Sequence, residues 1–264
     1  MAELVDAQVS GTCDRKVVEV RVLFWAPFFS QEIKRLARAF RSPSLLQAIP
    51  MSQPDTSHIS LYHNDLPDDL DLGAVVAIDS EAMGLNNHRD RLTLVQLSSG
   101  DGRAHLVQLS AEALAGGNPA PNLCRLLADP NVLKLFHFAR FDVALFYKAL
   151  GVVCAPVYCT KIASKMVRTY TDRHGLKDLT KELIGADISK QQQSSDWGAA
   201  ELSAAQMVYA ADDVLYLHAM KEKLDARLQR EGRAELAQAC FDFLPTRAQL
   251  DLLGWDDPDI FAHR

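Results

Sequence analysis

The chain of 264 residues predicts a mixed α/β fold with a helical C-terminal half. Three observations lead there. From residue 71, three short apolar segments follow one another across polar turns. Apolar stretches of strand length then alternate with helical ones, and after residue 160 the periodicity is almost wholly helical. Taken in order, Ala74–Asp79, Leu92–Leu97 and Ala104–Leu109 read as neighbouring antiparallel strands of a meander. Asn122–Ala128 reads as a helix, Val132–Phe136 as a strand, and Phe141–Leu150 as a helix stopped by Gly151. Val152–Val157 reads as a further strand. Lys161–Arg168, Leu176–Ile184, Ser203–Gln229 and Ala234–Phe243 then carry helical patterns. No internal repeat is visible, and no linker is long enough to set off a second domain.

Composition narrows the function. Five cysteines (Cys13, Cys124, Cys154, Cys159, Cys240) form no Cys-x-x-Cys pair, so they read as reduced thiols of a cytoplasmic protein. No apolar run approaches the ~20 residues that span a membrane. Met1–Pro27 lacks a compact hydrophobic region with a cleavage site, so it is no secretory signal. The net charge of −6 argues against a broad basic face for gripping a long nucleic acid. Either positive charge is concentrated locally, or a nucleic-acid substrate would be very short.

Residues 1–50 read differently from the rest. Met1-Ala2-Glu3-Leu4-Val5-Asp6-Ala7 can be back-translated into the start and D-arm of a leucine transfer-RNA gene. Glu19-Val20-Arg21-Val22 can be written as a T-loop, and Ala26-Pro27 as a terminal CCA. We therefore expect residues 1–50 to be a non-native extension from transfer-RNA-gene read-through, with translation starting at Met51. The alternative is a genuine amphipathic extension, since residues 29–48 have some helical periodicity. Those fifty residues hold seven basic and five acidic side chains, so residues 51–264 alone would carry −8.

Five residues carry the chemistry. Asp79 and Glu81 stand two apart in Val75-Val76-Ala77-Ile78-Asp79-Ser80-Glu81, at the end of a strand-like run, so both carboxylates share one face. Tyr209 and Asp213 stand four apart on a helical stretch and share a face as well. Asp142 follows an aromatic residue in Phe141-Asp142. Four carboxylates converging on one place would repel unless divalent cations sat among them. All-oxygen ligation suits Mg²⁺ or Mn²⁺, and a pair of such ions is the usual machinery of phosphodiester hydrolysis.

In this order the motifs resemble the DEDD superfamily of 3′-5′ exonucleases: Asp79-x-Glu81, then Asp142 in His137-Phe138-Ala139-Arg140-Phe141-Asp142, then Tyr209-x₃-Asp213. A tyrosine in the third motif places the resemblance in the ribonuclease D branch. It implies a ribonuclease-H-like fold, with carboxylates at strand ends and on a late helix. Ribonuclease D carries helical HRDC domains after its nuclease domain, and about 50 residues after Asp213 leave no room for one here. Further segments, among them Arg89-Asp90-Arg91-Leu92, the stretches 160–165, 169–176 and 188–197, and Leu252-Leu253-Gly254-Trp255, are similar to the alphaproteobacterial nano-RNase C family. That family hydrolyses RNA dinucleotides and assembles as ring-like octamers.

The resemblance implies the following roles. Asp79 bridges two divalent cations (Mg²⁺ or Mn²⁺), Glu81 and Asp213 complete the first site, Asp142 holds the second, and Tyr209 orients the attacking water. Asp212 is a decoy beside the motif position. Leu85, in Met83-Gly84-Leu85, wedges between the two bases; a core leucine is the plain alternative. His137, Arg173, His174 and Gln193 are candidate substrate contacts. Arg173 and His174 come from a basic cluster that also holds Lys161, Arg168 and Lys190, a fit for a terminal phosphate. Gln192, Ser195 and Asp196 either approach the site or form a turn before Trp197. Trp255 and Phe261 are apolar residues in a polar tail, suited to a subunit contact. The expected activity is a 3′-5′ exoribonuclease on short RNA, chiefly diribonucleotides such as linear products of cyclic dinucleotides. The alternatives are a general exonuclease on longer RNA or DNA, and an inactive nucleic-acid-binding scaffold.

Overall fold

Strand β3, Leu92–Ser98, is buried along all seven residues, so it must lie inside a sheet with both faces covered. It does so in the computed structural model, which describes residues 54–117 and 119–263. The expectation for residues 1–50 falls outside those residues; the described residues form one compact unit. The strands are β1 (Ile59–His63), β2 (Val75–Ala82), β3, β4 (Ala104–Gln108), β5 (Leu133–Phe136) and β6 (Val157–Cys159). They are ordered β1-β4-β3-β2-β5-β6. The β2, β3 and β4 strands form the expected antiparallel meander. β1 adds to β4, β5 to β2 and β6 to β5, all in parallel, so the sheet is mixed.

Short helices α1 (Ala111–Leu114) and α2 (Pro121–Ala128) follow the meander. Helix α3 (Ala139–Leu150) crosses back from β5 and ends at Gly151, whose φ of 68° suits glycine. After β6 come α4 (Thr160–Val167) and α5 (Leu176–Leu179), the latter running into a π turn over Thr180–Ile184. Helices α6 (Ala204–Leu215), α7 (Leu217–Arg230) and α8 (Ala234–Leu252) complete the described chain.

Alternation sorts the sheet's two faces. Val76, Ile78, Val95 and Leu97 join the main core, which also takes in Val143 and Phe146 of α3. Leu94 and Leu106 pack on the other side with Trp197, Tyr209 and Ala210, beneath α6. Hence Asp79 and Glu81, cross-strand partners of Gln96 and Leu94, belong to the α6 side.

Several boundaries differ from the sequence reading. β1 escaped it because its five residues are only partly buried and show no clean alternation. The segment 152–156 leading to β6 is irregular, with strand pairing confined to Val157–Cys159. The single helix expected over 203–229 breaks at Tyr216 (φ −99°, ψ −7°), which lets α6 lie on the sheet while α7 packs on α4. Helix α8 runs nine residues past the expected end at Phe243 and through Pro245. Its buried Leu244, Arg247, Ala248 and Asp251 show why: tertiary packing outweighs the lost backbone donor.

Candidate active site

Three carboxylates meet at one point. Oxygen atoms of Asp79, Glu81 and Asp213 lie within 4.8 Å of one another. Strand β2 supplies the first two by alternation, and α6, lying across β2 and β3, supplies the third. Asp142 stands in the first turn of α3 and is buried. It is held by Ser80, whose Oγ donates to its carboxylate at 2.5 Å. Ser80 points to the opposite face from its two acidic neighbours, so β2 grips both sides of the site.

Burial and mutual repulsion show in the acidities. The Asp79 carboxyl is held well above the usual range, first by burial and then by Asp142, Asp213 and Glu81. Glu81 is pushed up to about 8, by burial and then by Asp213 and Asp142. Asp142 and Asp213 are raised chiefly by burial; the Ser80 hydrogen bond works against the shift at Asp142. Among the described residues no Lys or Arg ion-pairs with any of the four. A half-buried, all-oxygen, uncompensated cluster calls for a hard divalent cation. The chemistry of the donor set therefore fits Mg²⁺ or Mn²⁺.

Tyr209 lies one helical turn before Asp213, packed on Trp197 with ring centroids 5.9 Å apart. Burial raises the pKa of its phenol, and so do Asp213, Glu81 and Asp79. Its hydroxyl therefore stays neutral. Asp212 is half-buried and lies outside the group of converging carboxylate oxygens, so Asp213 alone of the pair joins the site.

The other candidates divide. Leu85 is 90% exposed, against the core alternative, and Met83 beside it is exposed too. Gly84 packs so tightly against the Asp90 carboxylate that a side chain there would displace it. His137 is neutral, its pKa lowered to about 3 by burial and then by Lys161 and His174, and its Nδ1 meets the Thr160 hydroxyl at 2.9 Å. His174 Nδ1 meets the Ser164 hydroxyl at 2.9 Å. Arg173 and Gln193 are exposed.

Arg168 leaves the basic cluster. Its guanidinium is buried, paired with Glu182 at 2.5 Å and donating to Ser164 Oγ and the Arg173 carbonyl. Sequence shows its charge but not its distant partner. Lys161 sits over the Phe138 ring at 4.1 Å, and Lys190 is exposed. Ser195 and Asp196 take the turn reading: Gln206 Nε2 donates to Ser195 Oγ at 3.3 Å and to the Asp196 carbonyl at 3.0 Å. Gln206 is also the third residue of α6, in a reciprocal cap with Ser203. Trp255 and Phe261 are exposed on the tail. Ser80, which holds Asp142, escaped the sequence reading as a residue of the site.

A family model described as 3′-5′ exonuclease matches residues 62–229. The chain belongs to the 3′-5′ exonuclease family. Within it, the ribonuclease D of Acidiphilium cryptum is 39% identical over 160 residues, covering 61% of this chain. The match takes in 39% of that protein, and the chain spans less than half the length of the curated ribonucleases D it matches. Nearer full-length likeness comes from Brucella melitensis NrnC. Its structure with bound Mg²⁺ is 54% identical with a TM-score of 0.73, covering 78% of this chain and 99% of that one. The same protein bound to pGG gives 55% identity, a TM-score of 0.74, and 78% and 98% coverage. Escherichia coli RNase D, 24% identical with a TM-score of 0.58, covers 67% of this chain and 45% of its own, and shares the ribonuclease-H-like fold. This exonuclease is thus NrnC-like, within the ribonuclease D branch. Its cofactor is a divalent cation.

Proposed function

We propose that this exonuclease hydrolyses short RNA, chiefly diribonucleotides such as linear products of cyclic dinucleotides, to mononucleotides by a two-metal mechanism. The observation that carries the reading is the convergence of Asp79, Glu81 and Asp213 beside Asp142, with the 90%-exposed Leu85 on the adjoining loop. The pGG complex of the NrnC relative supports the substrate class.

Asp79, Glu81 and Asp213 would hold one cation, and Asp79 with Asp142 the second. Bound cations lower the pKa of the attacking water and stabilise the leaving 3′ oxygen. The neutral Tyr209 hydroxyl accepts a hydrogen bond from that water and orients it, and a rate loss on its removal follows. Ser80 keeps Asp142 aimed at the site. Leu85 enters between the two bases, with Met83 and Gly84 shaping its loop. His137 and Gln193 contact the dinucleotide, and Arg173 with His174 takes the terminal phosphate.

Residues 51–264 then form an exonuclease domain whose tail, with Trp255 and Phe261 exposed, joins subunits of a homo-oligomer, an octamer by resemblance. Among the described residues, Cys124, Cys154, Cys159 and Cys240 are free thiols, which supports a cytoplasmic setting. Among the described residues no helix is long and apolar enough to cross a membrane.

A length series decides the substrate. With 5′-labelled two-mers and seven-mers and Mg²⁺ or Mn²⁺, two-mers are expected to disappear much faster. Efficient processive digestion of long RNA or DNA would reject the dinucleotide reading in favour of a general exonuclease. No hydrolysis at any length would leave a binding scaffold.

A further inference from the structure

Gln96 is a fully buried amide in a fully buried strand, where the other polar side chains are Thr93 and Ser98. It stands directly across from Asp79 on β2 and Leu106 on β4. It shares a face with Leu94, on the side of the sheet where Leu94 and Leu106 pack against Tyr209 and Ala210 of α6. Among the described residues, neither its Oε1 nor its Nε2 has a hydrogen-bond partner. An unpaired buried polar group destabilises the fold, and a leucine would fill such a site without that penalty. The fold alone therefore gives no reason for an amide here. Its location does: cross-strand side chains start about 4.5–5.5 Å apart at Cβ, so the amide can reach the Asp79 carboxylate.

We propose that Gln96 is a positioning residue for the metal-binding carboxylate of Asp79. With the site loaded, its Nε2–H would donate to an Asp79 carboxylate oxygen and so fix the rotamer in which that carboxylate faces the cations. The inference rests on Asp79 being a metal ligand. It explains why an unpaired amide is kept under α6, at a place where a carboxylate must be aimed rather than merely present.

The test uses the full chain stripped of metal, with Gln96→Met as the close match in shape and Gln96→Leu as a second variant. Two quantities are read: the metal-free melting midpoint, and Mn²⁺ affinity by calorimetric titration well below that midpoint. The expected result is a metal-free midpoint equal to or above that of the parent, with Mn²⁺ binding weakened about 10–100-fold. A residue that merely builds the fold would move the two differently. Unchanged Mn²⁺ affinity in a folded variant overturns the proposal, and so does a lowered metal-free midpoint in both variants. Asp79→Asn serves as the reference: if it retains full Mn²⁺ affinity, the metal-site reading fails, a result separate from either outcome at Gln96.

Discussion

Each carboxylate of the site is disfavoured in its charged form until a cation arrives, and this gives the folded protein an unusual dependence on pH. Carboxylates whose folded pKa lies above the unfolded value, about 4, contribute stability that is complete below that value. The contribution is lost as pH rises through the folded value, about 8 for Glu81. The metal-free protein should therefore melt at progressively lower temperature from pH 5 to pH 8. Saturating Mg²⁺ should flatten or reverse that slope, since ligation favours the charged form. Scanning calorimetry in the two conditions checks it. The Arg168–Glu182 pair does not confuse this window: Glu182 is lowered to about 2, so its contribution fades only in stronger acid.

The same repulsion makes Asp79→Asn a two-sided experiment. Hydrolysis should vanish, while the metal-free melting midpoint holds or rises because one of the clustered charges is gone. Near-normal activity would defeat the metal-ligand assignment. Tyr209→Phe should keep Mn²⁺ binding yet lose rate roughly 10²-fold, the scale of lost help to a reacting proton. At this scale the sequence was informative wherever spacing alone sets direction. A period of two aligned Asp79 with Glu81, and a helical turn aligned Tyr209 with Asp213. It was silent on Ser80 and Gln96, whose importance depends on which strand and helix come to lie beside them.

Among elements, type was easier to read than extent. Apolar periodicity marks α8, but only its packing on α3 shows why the helix continues beyond Phe243. One knot fastens the two. Asp251 accepts two hydrogen bonds from Arg140 of α3, at 2.6 and 2.8 Å, and meets Arg247 at 2.8 Å. Arg247 in turn donates to the Trp255 carbonyl and pairs with Asp259, so the tail is tied to the helix that carries Asp142. Asp251→Ala strands the buried Arg247 and should lower unfolding free energy by about 3 kcal/mol, measurable by urea titration. A change under about 0.5 kcal/mol, the usual size for surface substitutions, would show that the knot is idle. The break at Tyr216 was invisible in sequence for a similar reason: both halves are good helices, and only the sheet and α4 require different directions.

For the whole molecule, the net charge of −6 and the proposed short substrate belong together. A long strand is held by many phosphate contacts that weaken steeply with salt, whereas a two-mer offers few. Affinity must then come from enclosing the ligand, and a closed far end also shuts out longer strands. Arg173→Ala or His174→Ala should therefore slow cleavage of 5′-phosphorylated two-mers far more than of two-mers lacking that phosphate. Paired kcat/KM measurements decide; equal losses would reject these two residues as the cap. Deleting residues 252–264 should break the proposed oligomer and lower activity, which light scattering and rate assays can follow together.

Gln206 adds a consequence in time rather than in space. With one side chain it holds the Ser203 backbone, the Ser195 hydroxyl and the Asp196 carbonyl. The turn before Trp197 and the opening of α6 are thereby one cooperative unit, so their amides should exchange with deuterium through a shared opening. Each such opening would release the start of the helix that aims Tyr209 and Asp213. The frequency of that event, rather than the bond-breaking step, would then set how long the site stays assembled between turnovers.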